Sequence, residues 1–316
     1  MVVESEVLSL ADFRAAAGRI RPHIFATPTL SGEAVGGPGV WLKAENLQRT
    51  GSFKVRGAVN AVLQLSPEQR RRGVITLSAG NHGMALAWAA ATIGASCVVV
   101  IRDDAPPAKL QAIRGYGAEV ILVPIAEWQQ RLEEEQQRRN LTLVHPFDDP
   151  AVVAGQGTVG LEVLEAVPDI RTMVVPVGGG GLIAGISLAL KQQRKEIRLI
   201  GVEPEGAPVV SEGLAAGRPV VPSRLDTVAE ALAPPYTRPF TLGIIQRYVD
   251  EMRLISDAAI IEALKVVALK SKLVLEPGGA AAVAALLADT TLPRPAVALL
   301  SGANVDGQKL GGWLAT

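Results

Sequence analysis

Short apolar runs rich in Val and Ile recur along this chain, spaced so that a helix fits between successive runs. No other feature constrains the fold as strongly. The runs are Gly73–Leu77, Cys97–Ile101, Val120–Val123, Met173–Val177, Leu199–Val202 and Val297–Leu300. Segments of helical period occupy Met84–Ala91, Ala108–Tyr116, Ala154–Ala166, Leu182–Lys191 and Ile260–Lys270. Strands that are apolar along their whole length are buried on both faces, and strand–helix alternation is how a chain covers both faces of a parallel sheet. The predicted class is α/β. At roughly 150 residues per domain, a chain of 316 is expected to form two. His145-Pro146-Phe147-Asp148-Asp149-Pro150 reads as the crossover between them, because its prolines and acids break any helix there. The polar stretch Gln129–Arg139 reads as a solvated helix face.

Charge narrows the partners. Lys plus Arg and Asp plus Glu both number 31, so no basic field directs the chain to nucleic acid, and a small molecule is the expected partner. Two uncharged runs, Gly83–Ile101 and Met173–Leu190, approach the length of a bilayer span. Gly94-Ala95-Ser96 interrupts the first, and Pro176 with four glycines interrupts the second, so each reads as a helix joined to a strand and no membrane is expected. Met1-Val2-Val3-Glu4-Ser5-Glu6 has neither the basic nor the apolar region of a signal peptide, which points to the cytoplasm. The single cysteine, Cys97, stands in a Val-rich run where it packs as a small hydrophobe.

Gly178-Gly179-Gly180-Gly181 follows the run Met173–Val177 and precedes the helix expected near Leu182. Without Cβ atoms the backbone N–H groups can converge, and the helix amino terminus adds partial positive charge, so the turn can hold a phosphate with no Lys or Arg. The plain alternative is a tight turn and nothing more. A rival is a dinucleotide site: Gly179 and Gly181 with Gly185, then Glu203 after the next strand, imitate the fingerprint of an NAD-dependent dehydrogenase.

Upstream, Lys54 follows the turn Thr50-Gly51-Ser52, where Ser52 is expected to cap a helix running from Phe53 to Leu65. Flanked by Phe53 and Val55, its amine is a candidate for desolvation, a lowered pKa and service as nucleophile or base. A solvated helix lysine is the bland alternative.

The run Lys43 to Ala58, with Ser52-Phe53-Lys54-Val55-Arg56-Gly57 at its centre, closely resembles the lysine motif of the fold-type II pyridoxal 5'-phosphate (PLP) enzymes, in particular the threonine/serine dehydratase and serine racemase branch. The resemblance spans nearly the whole chain. Further motifs follow in order: Ser78-Ala79-Gly80-Asn81-His82-Gly83, His145-Pro146-Phe147-Asp148, Gly155-Gln156-Gly157-Thr158, the tetraglycine, Glu276-Pro277-Gly278-Gly279-Ala280 and Ser301-Gly302-Ala303-Asn304-Val305-Asp306.

The resemblance implies two open parallel-sheet domains of the tryptophan synthase β-like kind. Residues 1–68 and 149–316 would form a large PLP-binding domain, and 69–148 a small substrate-loop domain. It implies that Lys54 carries the PLP as a Schiff base and takes the substrate Cα proton, that Phe53 packs beside the cofactor, and that Asn81 bonds the ring hydroxyl. Gly178, Gly179, Gly180 and Gly181, with Leu182 behind them, would hold the phosphate. Ser301 would face the pyridine nitrogen and leave it largely unprotonated. Ser78, Asn81 and His82 would receive the substrate carboxylate at a helix amino terminus. The implied reaction is β-elimination from L-threonine or L-serine to a 2-oxo acid and ammonia, by a homodimer or homotetramer.

Three departures refine the expectation. Racemases of this branch carry a serine where this chain has Ala79, and a methyl group cannot donate a proton, so a dehydratase is favoured over a serine racemase. Glu203 and Ala207 match two ligands of a divalent-cation site found in relatives, but Val209 replaces the third, so no essential metal is expected. Ala229-Glu230-Ala231 and Pro234-Pro235 depart from the branch pattern and leave the side-chain pocket open to serine, threonine or a hydroxyaspartate. The chain ends ten residues after Asp306, so no appended regulatory domain is expected.

Overall fold

A computed structural model describes residues 8–78, 80–103, 105 and 107–315. The leader reading at Met1–Glu6 and the racemase reading at Ala79 lie outside the described residues.

Ten strands are found among the described residues: β1 Thr29–Ser31, β2 Val40–Lys43, β3 Val74–Leu77, β4 Cys97–Arg102, β5 Glu119–Val123, β6 Thr142–Leu143, β7 Thr172–Pro176, β8 Arg198–Pro204, β9 Glu251–Ile255 and β10 Ala296–Leu299. They form a six-stranded sheet ordered β1-β2-β10-β7-β8-β9 and a four-stranded sheet ordered β5-β4-β3-β6. Every pairing is parallel except β1 with β2. The α/β expectation holds.

Both faces of each sheet are covered, which is why the central strands lack alternation. In β7, Met173 and Val175 enter the core on one side and Val174 the core on the other; in β10, Val297 and Leu299 oppose Ala296 and Ala298. In β4, Cys97, Val99 and Ile101 face one core of the small sheet while Val98 and Val100 face the other. Each fully buried Val, Ile or Leu contributes on the order of 1.5–3 kcal/mol. Cys97 is buried, and desolvation pushes its thiol up to about 12.

The elements that the sequence did not announce have identifiable causes. Edge strand β9 carries Glu251 and Arg253, and β2 carries Lys43, which is buried yet paired with Glu162 at 2.6 Å. The helix Pro277–Ala288 is apolar on every side, so it has no stripe to read. The Ser52 cap is overturned. Phe53 is the N-cap of the helix Lys54–Val62, while Ser52 is extended and pairs with Gly302 as an isolated bridge.

Parallel strands send their carboxyl ends to one edge, where open α/β sheets place ligands. At that edge β7 delivers the glycine turn, β10 delivers Ser301, β3 delivers Ser78 and β6 leads into His145. None of the described helices is long and apolar enough to cross a membrane.

Candidate active site

Lys54 opens the helix Lys54–Val62, and the extended segment before it is tied to the end of β10: the Phe53 N–H donates to the Ser301 carbonyl at 3.1 Å, and the Ala303 N–H to the Gly51 carbonyl at 2.9 Å. The Lys54 ammonium donates to the Pro146 carbonyl at 2.8 Å and lies 5.2 Å from the centre of the Phe53 ring. Lys54 keeps some exposure, but protein packed around the nitrogen desolvates it and pulls its pKa down to about 8, against the opposing field of Glu276. The solvated-lysine alternative does not describe this amine.

Pro146 connects the amine to the glycine turn, because Phe147 walls that turn. A Cβ at Gly179 would lie 2.2 Å from the Phe147 ring, and one at Gly181 2.7 Å from the Phe147 carbonyl oxygen. Gly180 has φ +88° and caps the helix Gly181–Lys191, in which Leu182 is buried. Thr241 braces the turn, its hydroxyl donating to the Gly179 carbonyl at 3.2 Å and its N–H to Asp148 at 3.0 Å. Ser301 is buried, with its hydroxyl 3.4 Å from the Gly278 carbonyl.

Across from these, Asn81 opens the helix Asn81–Thr92, and the Ser78 hydroxyl accepts from the Gly80 N–H at 3.2 Å. The Asn81 amide donates to Glu276 at 2.6 Å and accepts from Asn304 at 2.7 Å. The ring of His82 is held by the chain leading out of β6. Its Nε2 sits 3.0 Å from the Val144 carbonyl, which demands a proton there and leaves Nδ1 a buried acceptor. Burial, then the Lys54 charge, holds this imidazole down to about 3, so the ring offers a carboxylate nothing. Its backbone N–H, in the first turn of the helix, is the group that can. His145 is also neutral, held to about 3 by burial and the charges of Arg238 and Lys54. Its Nδ1 accepts from the Asp148 N–H at 2.9 Å, which leaves a buried Nε2–H without a partner among the described residues.

With this geometry in place, comparison with known proteins is decisive. A family model described as "Pyridoxal-phosphate dependent enzyme" matches residues 20–302. The chain belongs to that family. An L-threonine ammonia-lyase of Thermotoga maritima is 41% identical over 87% of this chain and 69% of its own length. A catabolic L-threonine dehydratase of Staphylococcus aureus is 38% identical over 98% of this chain and 92% of its own. The solved structure of maize serine racemase superposes with a TM-score of 0.91 at 34% identity, covering 98% of this chain and 97% of that one.

The residues present fit the family's cofactor. A desolvated amine stands beside a turn where Phe147 fills the Cβ space of Gly179 and Gly181, and a neutral hydroxyl and an amide converge from the two sheets. The dinucleotide alternative lacks its ribose acid. Glu203 has no exposure, and its carboxylate accepts from the Val210 and Ser211 N–H groups and the Ser211 hydroxyl. Sequence reasoning missed Glu276 and Asn304. Both stand inside motifs that it singled out, but Glu276 precedes a proline and two glycines and so reads as an ordinary helix start.

Proposed function

We propose that this enzyme is an ammonia-lyase that converts L-threonine, L-serine or both into 2-oxobutanoate or pyruvate and ammonia by β-elimination. The relatives named as threonine ammonia-lyase and dehydratase support it, and the observation that carries it is the desolvated Lys54 amine held between Pro146 and Phe53. When bound, PLP supplies an aldehyde that condenses with amines and a ring that accepts electron density from the substrate α-carbon.

An amine of pKa about 8 gives up its proton far more readily than an ordinary lysine, with roughly a tenth of it unprotonated at pH 7, so Lys54 would serve first as the nucleophile that anchors the cofactor and then as the base that takes the Cα proton. Gly178 to Gly181 and the helix behind them, starting with Leu182, receive the phosphate dianion on backbone N–H groups. Phe53 packs against the ring. Asn81 would donate to its hydroxyl, and Ser301 would offer the pyridine nitrogen a neutral partner that does not supply it with a full proton. The Ser78 hydroxyl and the backbone N–H groups of Asn81 and His82 hold the substrate carboxylate. Loss of the β-hydroxyl as water leaves an enamine that hydrolyses to the 2-oxo acid. Ala79 has no proton to return to the other face of the α-carbon, which supports elimination over racemisation.

The proposal extends to a large domain of residues 1–68 and 149–316, a small domain of 69–148, assembly as a homodimer or homotetramer, a cytoplasmic location and no essential divalent metal. The family resemblance supports the first four. The Glu203 carboxylate, which already accepts three hydrogen bonds, supports the last, and chelator treatment is expected to leave activity intact.

The test is direct. Purified protein should be yellow, and borohydride should fix the cofactor on Lys54. A panel of L- and D-hydroxy-amino acids, including threonine, serine and hydroxyaspartate, should release 2-oxo acid and ammonia from the L-forms of threonine or serine. Loss of optical activity without ammonia would assign a racemase instead.

A further inference from the structure

The proposed chemistry leaves one buried acid without a task. Glu276 is the N-cap of the helix Pro277–Ala288, yet its side chain caps nothing there. An acidic N-cap ordinarily turns back onto the first N–H groups of its own helix. This one reaches across to the other sheet and accepts from Asn81 Nδ2 at 2.6 Å. Asn81 Oδ1 in turn accepts from Asn304 Nδ2 at 2.7 Å, and the Asn304 amide also donates to the Thr50 carbonyl at 2.8 Å. An amide nitrogen only donates and an ionised carboxylate only accepts, so the two neighbours fix which end of the Asn81 amide points where. Among the described residues, one Asn81 N–H is left over. No side chain fits between the partners: a Cβ at Gly302 would lie 2.2 Å from Glu276 Oε1 and 3.3 Å from Asn81 Nδ2.

We infer that Glu276 is a positioning residue that holds the Asn81 amide with its free N–H toward the ring hydroxyl of the bound cofactor, and that releases this hold when it takes up a proton. The inference rests on the reading of Asn81 and PLP given above. Once protonated, Glu276 no longer obliges Nδ2 to face it, and the amide loses one of the two constraints on its orientation. The charged groups facing Glu276 are Lys109 from the helix Pro107–Gly115, Glu230 from the turn Glu230–Leu232 and Lys54 from its own helix. Burial dominates and lifts the carboxyl to about 7; the Asn81 bond, Lys109 and Lys54 oppose the rise, while Glu230 adds to it. The switch therefore falls near neutrality.

The experiment records the visible band of bound PLP and kcat/KM for L-serine on the holoenzyme between about pH 5.5 and about pH 9, in wild type and in Glu276→Gln. In wild type the band should shift with an inflection near neutrality, and kcat/KM should rise through the same inflection. In Glu276→Gln, PLP should still bind, the inflection should vanish from both profiles, and plateau kcat/KM should fall about tenfold, the effect of one lost charge-assisted hydrogen bond. Asn304→Ala, which removes the opposite constraint, should displace the band in the same direction. A yellow wild type whose band is constant across neutrality overturns the inference alone, and that measurement needs no variant to fold. So does a Glu276→Gln enzyme with the wild-type spectrum and profile. A colourless protein that takes up no PLP overturns the proposed function and this inference with it.

Discussion

Two basic side chains in the helix Lys54–Val62, separated only by Val55, face different regions of the molecule. Arg56 has no exposure, and its guanidinium donates to both oxygens of Glu45 at 2.7 and 2.8 Å, to both oxygens of Glu162 at 2.7 and 2.8 Å, and to the Thr158 hydroxyl at 3.0 Å. Burial works against both charges of the inner pair, but the mutual field overcomes it: Glu45 ends below its ordinary pKa and Arg56 above. Among the described residues Lys54 has a single carbonyl partner and no carboxylate within ion-pair reach, and burial lowers its pKa. The difference teaches how one helix serves two purposes. Where carboxylates meet the buried charge, it ties the turn Glu45–Leu47 that follows β2, this helix and the helix Pro150–Ala166 into one unit. Where they are withheld, the amine can lose its proton.

The comparison can be broken at either end. The largest expected effect is on catalysis. Lys54→Ala should lower kcat by at least about 10³-fold, with little change in melting temperature, because a base is removed and only the part-buried Pro146 carbonyl loses a donor. Near-native kcat together with a large drop in melting temperature would reverse the assignment. Arg56→Met should do the opposite. Leaving Glu45 charged and unpaired should cost about 3–5 kcal/mol in denaturant unfolding, and adding Glu45→Leu should recover much of it. Additive losses in the double variant would deny the coupling. Gly179→Ala forces a methyl group against the Phe147 ring and should cost about 1–3 kcal/mol of overpacking, read as weaker PLP binding.

The smallest effect concerns the apo protein. Glu276 is raised in the fold to about 7 from an ordinary carboxylate value of about 4.3. Between those values the folded state holds more protons than the unfolded state, so stability falls as pH rises, and the penalty is complete above about 7. Apo Glu276→Gln should therefore melt above wild type at pH 8 by roughly a few degrees, and the gap should close by pH 5. A gap that widens on acidification would contradict the sign.

Much of this was legible one segment at a time. The runs Cys97–Ile101 and Val297–Leu300 are strands within a residue of their expected limits, because strands buried on both faces need no context to be recognised. Gly178–Gly181 was legible because only glycine fits a turn with φ +88° at Gly180 and an aromatic ring at Gly179. Ser52 was misread because a Thr-Gly-Ser turn before a helix predicts a cap, and pairing with Gly302 from the far end of the chain outcompeted it. Where the ring of His82 points was not legible, because the Val144 carbonyl that claims it lies 62 positions away.

The sequence by itself determined the alternation of strand and helix, the four-glycine turn and the lysine beside Phe53, since these rest on steric and hydrophobic preferences acting within a few residues. Only the tertiary structure decided which charges keep their protons. Desolvation and pairing at Lys54, Arg56, His82 and Glu276 depend on atoms delivered by strands and helices far apart in the chain. The same residue type therefore acts as a brace or as a reagent according to what the fold packs against it.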